Sequence, residues 1–145
     1  EYCNRDVVVI EKMESVRVAI NLMRKQHVGD VVVVEKRGNL SIPVGILTDR
    51  DIVVEILVED VDLDAIYVGD VMSYQLVTIN EETKLLDAIK QMRIKGVRRL
   101  PVVNEQGGLV GLLSVDDMLE LIAEQLSGLV GLVSNEIRNE VNSRK

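Results

Sequence analysis

The sequence predicts an α/β fold of two quasi-symmetric lobes, each a small sheet with packed helices. The first observation is an internal repeat. Shifting residues 7–39 by 69 places lays Val8 on Val77, Ile10 on Ile79, Ala19-Ile20 on Ala88-Ile89, Met23-Arg24 on Met92-Arg93 and Val33-Val34 on Val102-Val103. After a three-residue slip, the register resumes at 66, with Val44-Gly45-Ile46-Leu47-Thr48 on Val110-Gly111-Leu112-Leu113-Ser114. The second observation is that short apolar runs alternate with segments of helical spacing, the pattern of strand and helix in turn. The third is size: a unit this small cannot bury its apolar face alone, so the copies pack on each other and a concave site comes as a related pair at their seam.

Each copy has the same order of elements. A short apolar strand (Val7–Ile10, Leu76–Ile79) is followed by an amphipathic helix near Ser15–Gln26 and Thr83–Lys95. Val16, Ala19, Ile20 and Met23, and their counterparts Leu85, Ala88, Ile89 and Met92, keep helical spacing. Gly96 stands where a helix C-terminal glycine belongs. The central runs Val31–Val34 and Leu100–Val103 suit strands buried on both faces. Pro101 lacks an N–H and so favours a strand's first residues or an edge. Turns at Lys36–Asn39 and Glu105–Gly108 lead to further strands, Val44–Leu47 and Leu109–Leu113, and then to second helices starting near Thr48 and Ser114. Pro43 and three extra residues lengthen the first hairpin.

Residues 5–60 and 61–126 are expected to form the two domains, joined by an acidic connector at about 59–70 that reads as solvated. Asp60, Asp62 and Asp64 hint at a calcium loop, but Ala65 stands at the glycine position and Val71 at the glutamate position. Residues 127–145 form a C-terminal tail with one more amphipathic helix, its Leu129, Val133, Ile137 and Val141 four apart.

Composition bounds the function. With 47% hydrophobic and 28% charged residues, the 145-residue chain reads as an ordinary globular protein. Lacking Phe and Trp, and with only three Tyr, it must build an aliphatic core. A net charge of −7 and the lack of aromatic stacking platforms argue against nucleic acid as a partner. The single cysteine, Cys3, excludes an intrachain disulfide and fits a cytoplasmic setting. No apolar run approaches the ~20 residues that span a bilayer, and no secretory segment opens the chain, so no membrane partner is expected. The chain opens at Glu1 and not at Met, which leaves room for sequence before it.

The element used twice is Gly-apolar-apolar-Ser/Thr-x-x-Asp, Gly45 to Asp51 and Gly111 to Asp117. It lies where a strand ends and a helix begins, so free backbone N–H groups and the positive helix end favour an anion. Thr48 and Ser114 offer hydroxyls to a phosphate, Asp51 and Asp117 offer carboxylates to a sugar diol, and the glycine permits close approach. Equally, Ser/Thr-x-x-acid is a helix capping box, whose side chains serve only the helix's own donors.

The repeated strand–helix–strand–strand–helix order, ending in this signature, resembles a pair of cystathionine-β-synthase-type (CBS) domains, a Bateman module. The resemblance covers about residues 5–126. Val68–Ser73 is similar to the family's approach to its second domain, and Arg98–Val103 to its central strand. It implies a CBS-domain pair that binds an adenosine nucleotide (AMP, ADP or ATP) in the cleft between the domains, with no obligatory cofactor. It further implies that Thr48 and Ser114 contact phosphate or ribose and that Asp51 and Asp117 hold ribose hydroxyls. Gly29, Asp30 and Val31 in one copy, and Val97, Arg98, Arg99, Leu100 and Pro101 in the other, would line the adenine and phosphate ends. The copies differ there, since the second offers two arginines where the first offers Gly29 and Asp30, and the site on Ser114 and Asp117 is expected to bind the tighter.

Other residues carry less. His27, the only histidine, reads as an exposed polar residue at a helix end; no second His or Cys stands at metal-ligand spacing, and no Ser-His-Asp or Cys-His set exists. Lys12, Arg50 and Arg93 read as surface charges. Enzyme activity is not indicated. The expected function is a regulatory ligand-sensing module that transmits occupancy through a homodimer to a downstream protein. The alternative is a constitutive dimerisation module with no physiological nucleotide. The homodimer is expected because Ile52–Val58 is apolar on nearly every side and its counterpart carries Met118, Leu119, Leu121 and Ile122.

Overall fold

Two three-stranded sheets, built alike, carry the fold. The computed structural model describes Cys3, residues 5–73 and residues 76–143, with Val58 and residues 136–143 in backbone only. In the first lobe β1 (Val9–Glu11) leads through α1 (Val16–Gln26) to β2 (Asp30–Arg37) and β3 (Leu40–Thr48). The chain continues as α2 (Asp49–Asp51), a π-helical stretch (Ile52–Ile56) and a 3-10 turn (Leu57–Glu59), and then as α3 (Val68–Val71). In the second lobe β4 (Ile79–Asn80), α4 (Leu85–Lys95), β5 (Arg99–Val103) and β6 (Leu109–Ser114) repeat the order before α5 (Val115–Ser143). Each sheet pairs its first strand parallel to a central strand, and that strand antiparallel to the third. The α/β class and both lobes expected from the repeat are present.

The duplication reaches fine detail. A ladder irregularity sits between Val33 and Val34 in one sheet and between Val102 and Val103 in the other, leaving Val44 and Val110 as equivalent bulged residues. His27 and Gly96 both end their helices in the left-handed conformation, at φ 56° and 66°. Glycine adopts that geometry freely; His27 does so with its side chain exposed, as its reading at a helix end implied.

Each lobe has its own aliphatic core. One gathers Val16, Ala19, Met23, Val31, Val33 and Leu47, and the other Ala88, Met92, Leu100, Val102, Leu113 and Met118. Side chains alternate along a strand, so Val32, Val34 and Pro101 stand on the opposite sheet faces, outside these clusters, yet are fully buried. The lobes touch there. A Cβ built on Gly107 would lie 3.7 Å from Ile42 Cδ1, and one on Gly108 would lie 2.9 Å from Leu40 Cδ2.

Three expectations need correction. Pro101 is the third residue of the central strand, neither at its start nor at an edge. The equivalent Val32 N–H donates to the Val8 carbonyl at 3.0 Å; Pro101 has no such donor, and β4 starts only opposite Val102, leaving that rung out. The connector is not simply solvated. Its carboxylates are exposed, but Leu63, Ile66 and Val68 pack on the first core, and Val68 and Gly69 N–H donate to the Glu14 and Lys12 carbonyls at 2.8 Å each. The tail helix is not separate, because α5 runs unbroken from Val115 to Ser143 through Ser127 and Gly128. The side chains of Ile137 and Val141, and all of Arg144 and Lys145, lie outside the described residues. Among the described residues no helix is long and apolar enough to cross a membrane.

Candidate functional site

The central strands bring the site residues together at the seam. Asp30 and Arg99 are the first residues of β2 and β5. In the ladders Asp30 pairs with Thr48 and Arg99 with Ser114. Across the seam the Arg99 guanidinium Nε meets the Asp30 carboxylate in an ion pair, their side chains 37% and 18% exposed. Four of the expected residues thus form one row, Thr48–Asp30–Arg99–Ser114.

The strand-to-helix junctions behave differently in the two repeats. In the first, Asp51 N–H donates to Thr48 Oγ1 and Thr48 N–H donates to Asp51 Oδ2, both at 3.1 Å, closing a full capping box. In the second, Asp117 N–H donates to Ser114 Oγ at 3.1 Å, while the half-buried Asp117 carboxylate has no partner among the described residues. The helix explanation therefore accounts for both side chains of the first repeat and only one of the second. Gly29 and Arg98 play matching backbone roles, their carbonyls accepting from Asp49 and Val115 N–H at 2.9 Å each. The Arg98 guanidinium stands 4.0 Å from Asp116 with both side chains largely exposed, a contact that contributes little.

Beside this row lies an open cleft of about 260 Å³. Its apolar wall is Ile46, Leu76, Val77 and Val97, and its polar end is Ser73, Arg98 and Arg99. An apolar wall ending in guanidinium groups suits a flat heterocycle that carries an anion. Of the expected residues, Val97, Arg98 and Arg99 face this cleft, with Ser114 beside Arg99 in the ladder. Val31 and Leu100 point into the two cores, both 0% exposed, and Pro101 is buried on the seam face.

Ile46, Ser73, Leu76 and Val77 were not expected. Ile46 alternates with the core residue Leu47 along β3, and Val77 repeats Val8, so the pattern held a signal for both. Ser73 held none, because its position depends on a tertiary contact: its N–H donates to the Ile46 carbonyl at 3.0 Å. Gly45 allows this approach, for a Cβ there would lie 2.8 Å from the Ser73 carbonyl oxygen. The close approach expected of this glycine is made by the chain itself.

A model of the CBS domain matches residues 1–58 and again residues 68–124. The chain belongs to the CBS-domain family. Among relatives, this CBS pair is similar to the protein MK0525 of Methanopyrus kandleri, 32% identical over 121 residues covering 83% of this chain and 60% of that protein's length. It is also similar to the CBS domain-containing protein YhcV of Bacillus subtilis, 34% identical over 112 residues, with 77% of this chain and 76% of YhcV covered. The cytosolic domain of the Mg2+ channel MgtE, solved in complex with ATP, shares the fold with a TM-score of 0.68 at 24% identity, over 82% of this chain and 46% of that one. The chain thus spans about three fifths of the archaeal relative and less than half of the channel domain.

Each lobe of the CBS pair also leaves an apolar groove between its two helices. One, of about 310 Å³, is lined by Met92, Met118, Leu119 and Ile122; its counterpart, of about 360 Å³, by Met23, Ile52, Val53 and Leu57. Val53, Leu57, Leu119 and Ile122 are each roughly half exposed, at 54%, 56%, 59% and 46%.

Proposed function

We propose that this CBS pair, a regulatory ligand-binding module by family, takes an adenosine nucleotide of the AMP, ADP or ATP class in the cleft bounded by Val97, Arg98 and Arg99. The observation that carries this reading is the cleft's two-ended chemistry, an apolar wall ending in Arg98 and Arg99, with Ser114 next to Arg99 in the ladder and the Asp117 carboxylate of the same junction left free by the helix cap. Ile46, Val77 and Val97 suit the adenine, Arg98 and Arg99 the phosphate, and Ser114 and Asp117 the ribose. The ATP complex of the MgtE cytosolic domain supports a nucleotide as the ligand class, since that domain has the same fold. Gly29, Asp30, Thr48 and Asp51 form the weaker counterpart.

The reading extends to a homodimer. The two helical grooves keep apolar side chains half exposed on both lobes, and a second copy covers them by symmetry. Nucleotide entering the cleft alters how the lobes meet, the dimer carries that change, and a downstream protein reads it; no catalytic step is assigned. Calorimetric titration with AMP, ADP and ATP tests the reading. Saturable binding of at least one, lost in Asp117→Ala, supports it; no heat and no thermal stabilisation with any of them leaves the constitutive dimerisation module.

A further inference from the structure

Asp30 and Arg99 hold equivalent positions in the two repeats, and they meet in an ion pair between the lobes. Arg99 belongs to two environments. It lines the cleft with Ser73 and Arg98, and its Nε is engaged by the Asp30 carboxylate from the first lobe. A carboxylate and a phosphate seek the same planar fork of donors on arginine. An anion arriving at Arg99 meets one already there.

We infer that Asp30 is a built-in competitor for the anionic end of the cleft ligand, and that position 30 sets the discrimination between phosphorylated and unphosphorylated adenosine. The inference rests on the nucleotide reading of the cleft and adds to it a residue of the other repeat. Three features of the pair favour it. Asp30 is mostly shielded from solvent, so its charge is poorly screened toward the cleft. No other cation partners Asp30 among the described residues, so release from Arg99 leaves the carboxylate to seek water. The pair also joins the lobes, so a phosphate that takes Arg99 away from Asp30 removes an inter-lobe contact as it binds. Arg98, held only at 4.0 Å by an exposed Asp116, has no comparable competitor.

The test compares AMP with adenosine by calorimetry on the parent chain, Asp30→Asn and Asp30→Ser, two variants that remove the charge with different shapes. Both variants are expected to bind AMP in the cleft of Arg98 and Arg99 about tenfold tighter, equivalent to about 1.4 kcal/mol, whereas adenosine, which has no anion, should gain far less than AMP. On the parent chain, AMP but not adenosine is expected to move the Arg99 Nε–H resonance. Unchanged or weakened AMP binding in the variants overturns the inference, as does equal tightening of both ligands. If neither ligand binds parent or variants, the nucleotide reading itself fails and this inference with it, a result distinct from binding without discrimination.

Discussion

Gly45→Ala is the most direct probe of how the seam is held. A Cβ at Gly45 would lie 2.6 Å from Met72 Sδ, 2.8 Å from the Ser73 carbonyl oxygen and 3.0 Å from Met72 Cγ. Favourable contact needs about 3.5–4.0 Å, so something must move by roughly an ångström. The methionine side chain can turn aside, although Met72 is itself 6% exposed in the first core. The Ser73 carbonyl cannot, because the same residue's N–H is fixed to the Ile46 carbonyl at 3.0 Å. Overpacking of this kind costs about 1–3 kcal/mol. Stiffening the unfolded chain returns about 0.4–1 kcal/mol, so a net loss of about 1–2 kcal/mol is expected in urea unfolding. Gly128→Ala supplies the contrast: Gly128 lies inside α5 with nothing within 4 Å of a built Cβ, so alanine should stabilise by about 0.5–1 kcal/mol. A Gly45→Ala chain as stable as its parent would refute the close approach at this position.

The two aspartates of the repeated signature separate capping from binding. Asp51→Ala should cost about 1 kcal/mol of stability by opening the closed box and leave nucleotide affinity largely intact, whereas Asp117→Ala should cost less stability and most of the affinity; equal effects on affinity, read by calorimetry, would count against the assignment. For the homodimer, Val53→Glu and Leu119→Glu place a charge on exposed groove residues and are expected to shift sedimentation from dimer to monomer without loss of helical circular dichroism. A parent chain that sediments as a monomer at high micromolar concentration would end that proposal.

The repeat made the fold legible, because a duplicated pattern averages away local ambiguity: where one copy is doubtful, the other states the element. It failed where single residues decide. Ser127 and Gly128 are poor helix formers, and a helix boundary was expected near them, yet helical backbone continues through both residues to Ser143. The connector's acids predict a solvated stretch, while Leu63, Ile66 and Val68, spaced through it, anchor it on the first core. The general cost of a missing donor predicts Pro101 at a strand start or edge, and that cost is met locally by a first strand that starts one rung late. At the seam, Arg98 and Arg99 are a basic pair within their own repeat, but what Arg99 faces belongs to the other one. Positions 30 and 99 are equivalent in the two copies and carry opposite charges, and that pairing is the signal the sequence holds.

Two copies of one unit begin with equal sites, and three departures in this chain favour the same side. In the first repeat the Thr48–Asp51 box closes on itself, and the charge at position 30 is negative. In the second, the Asp117 carboxylate is left out of the cap, the charge at position 99 is positive, and Pro101 removes a rung so that the first strand starts only at Ile79. Leu76 and Val77 precede that strand and line the cleft. The repeat that satisfies its own polar groups is suited to holding the lobes together, and the repeat that does not is suited to a ligand. Asp30 links the two, since it belongs to the first repeat and holds the arginine that the second would use.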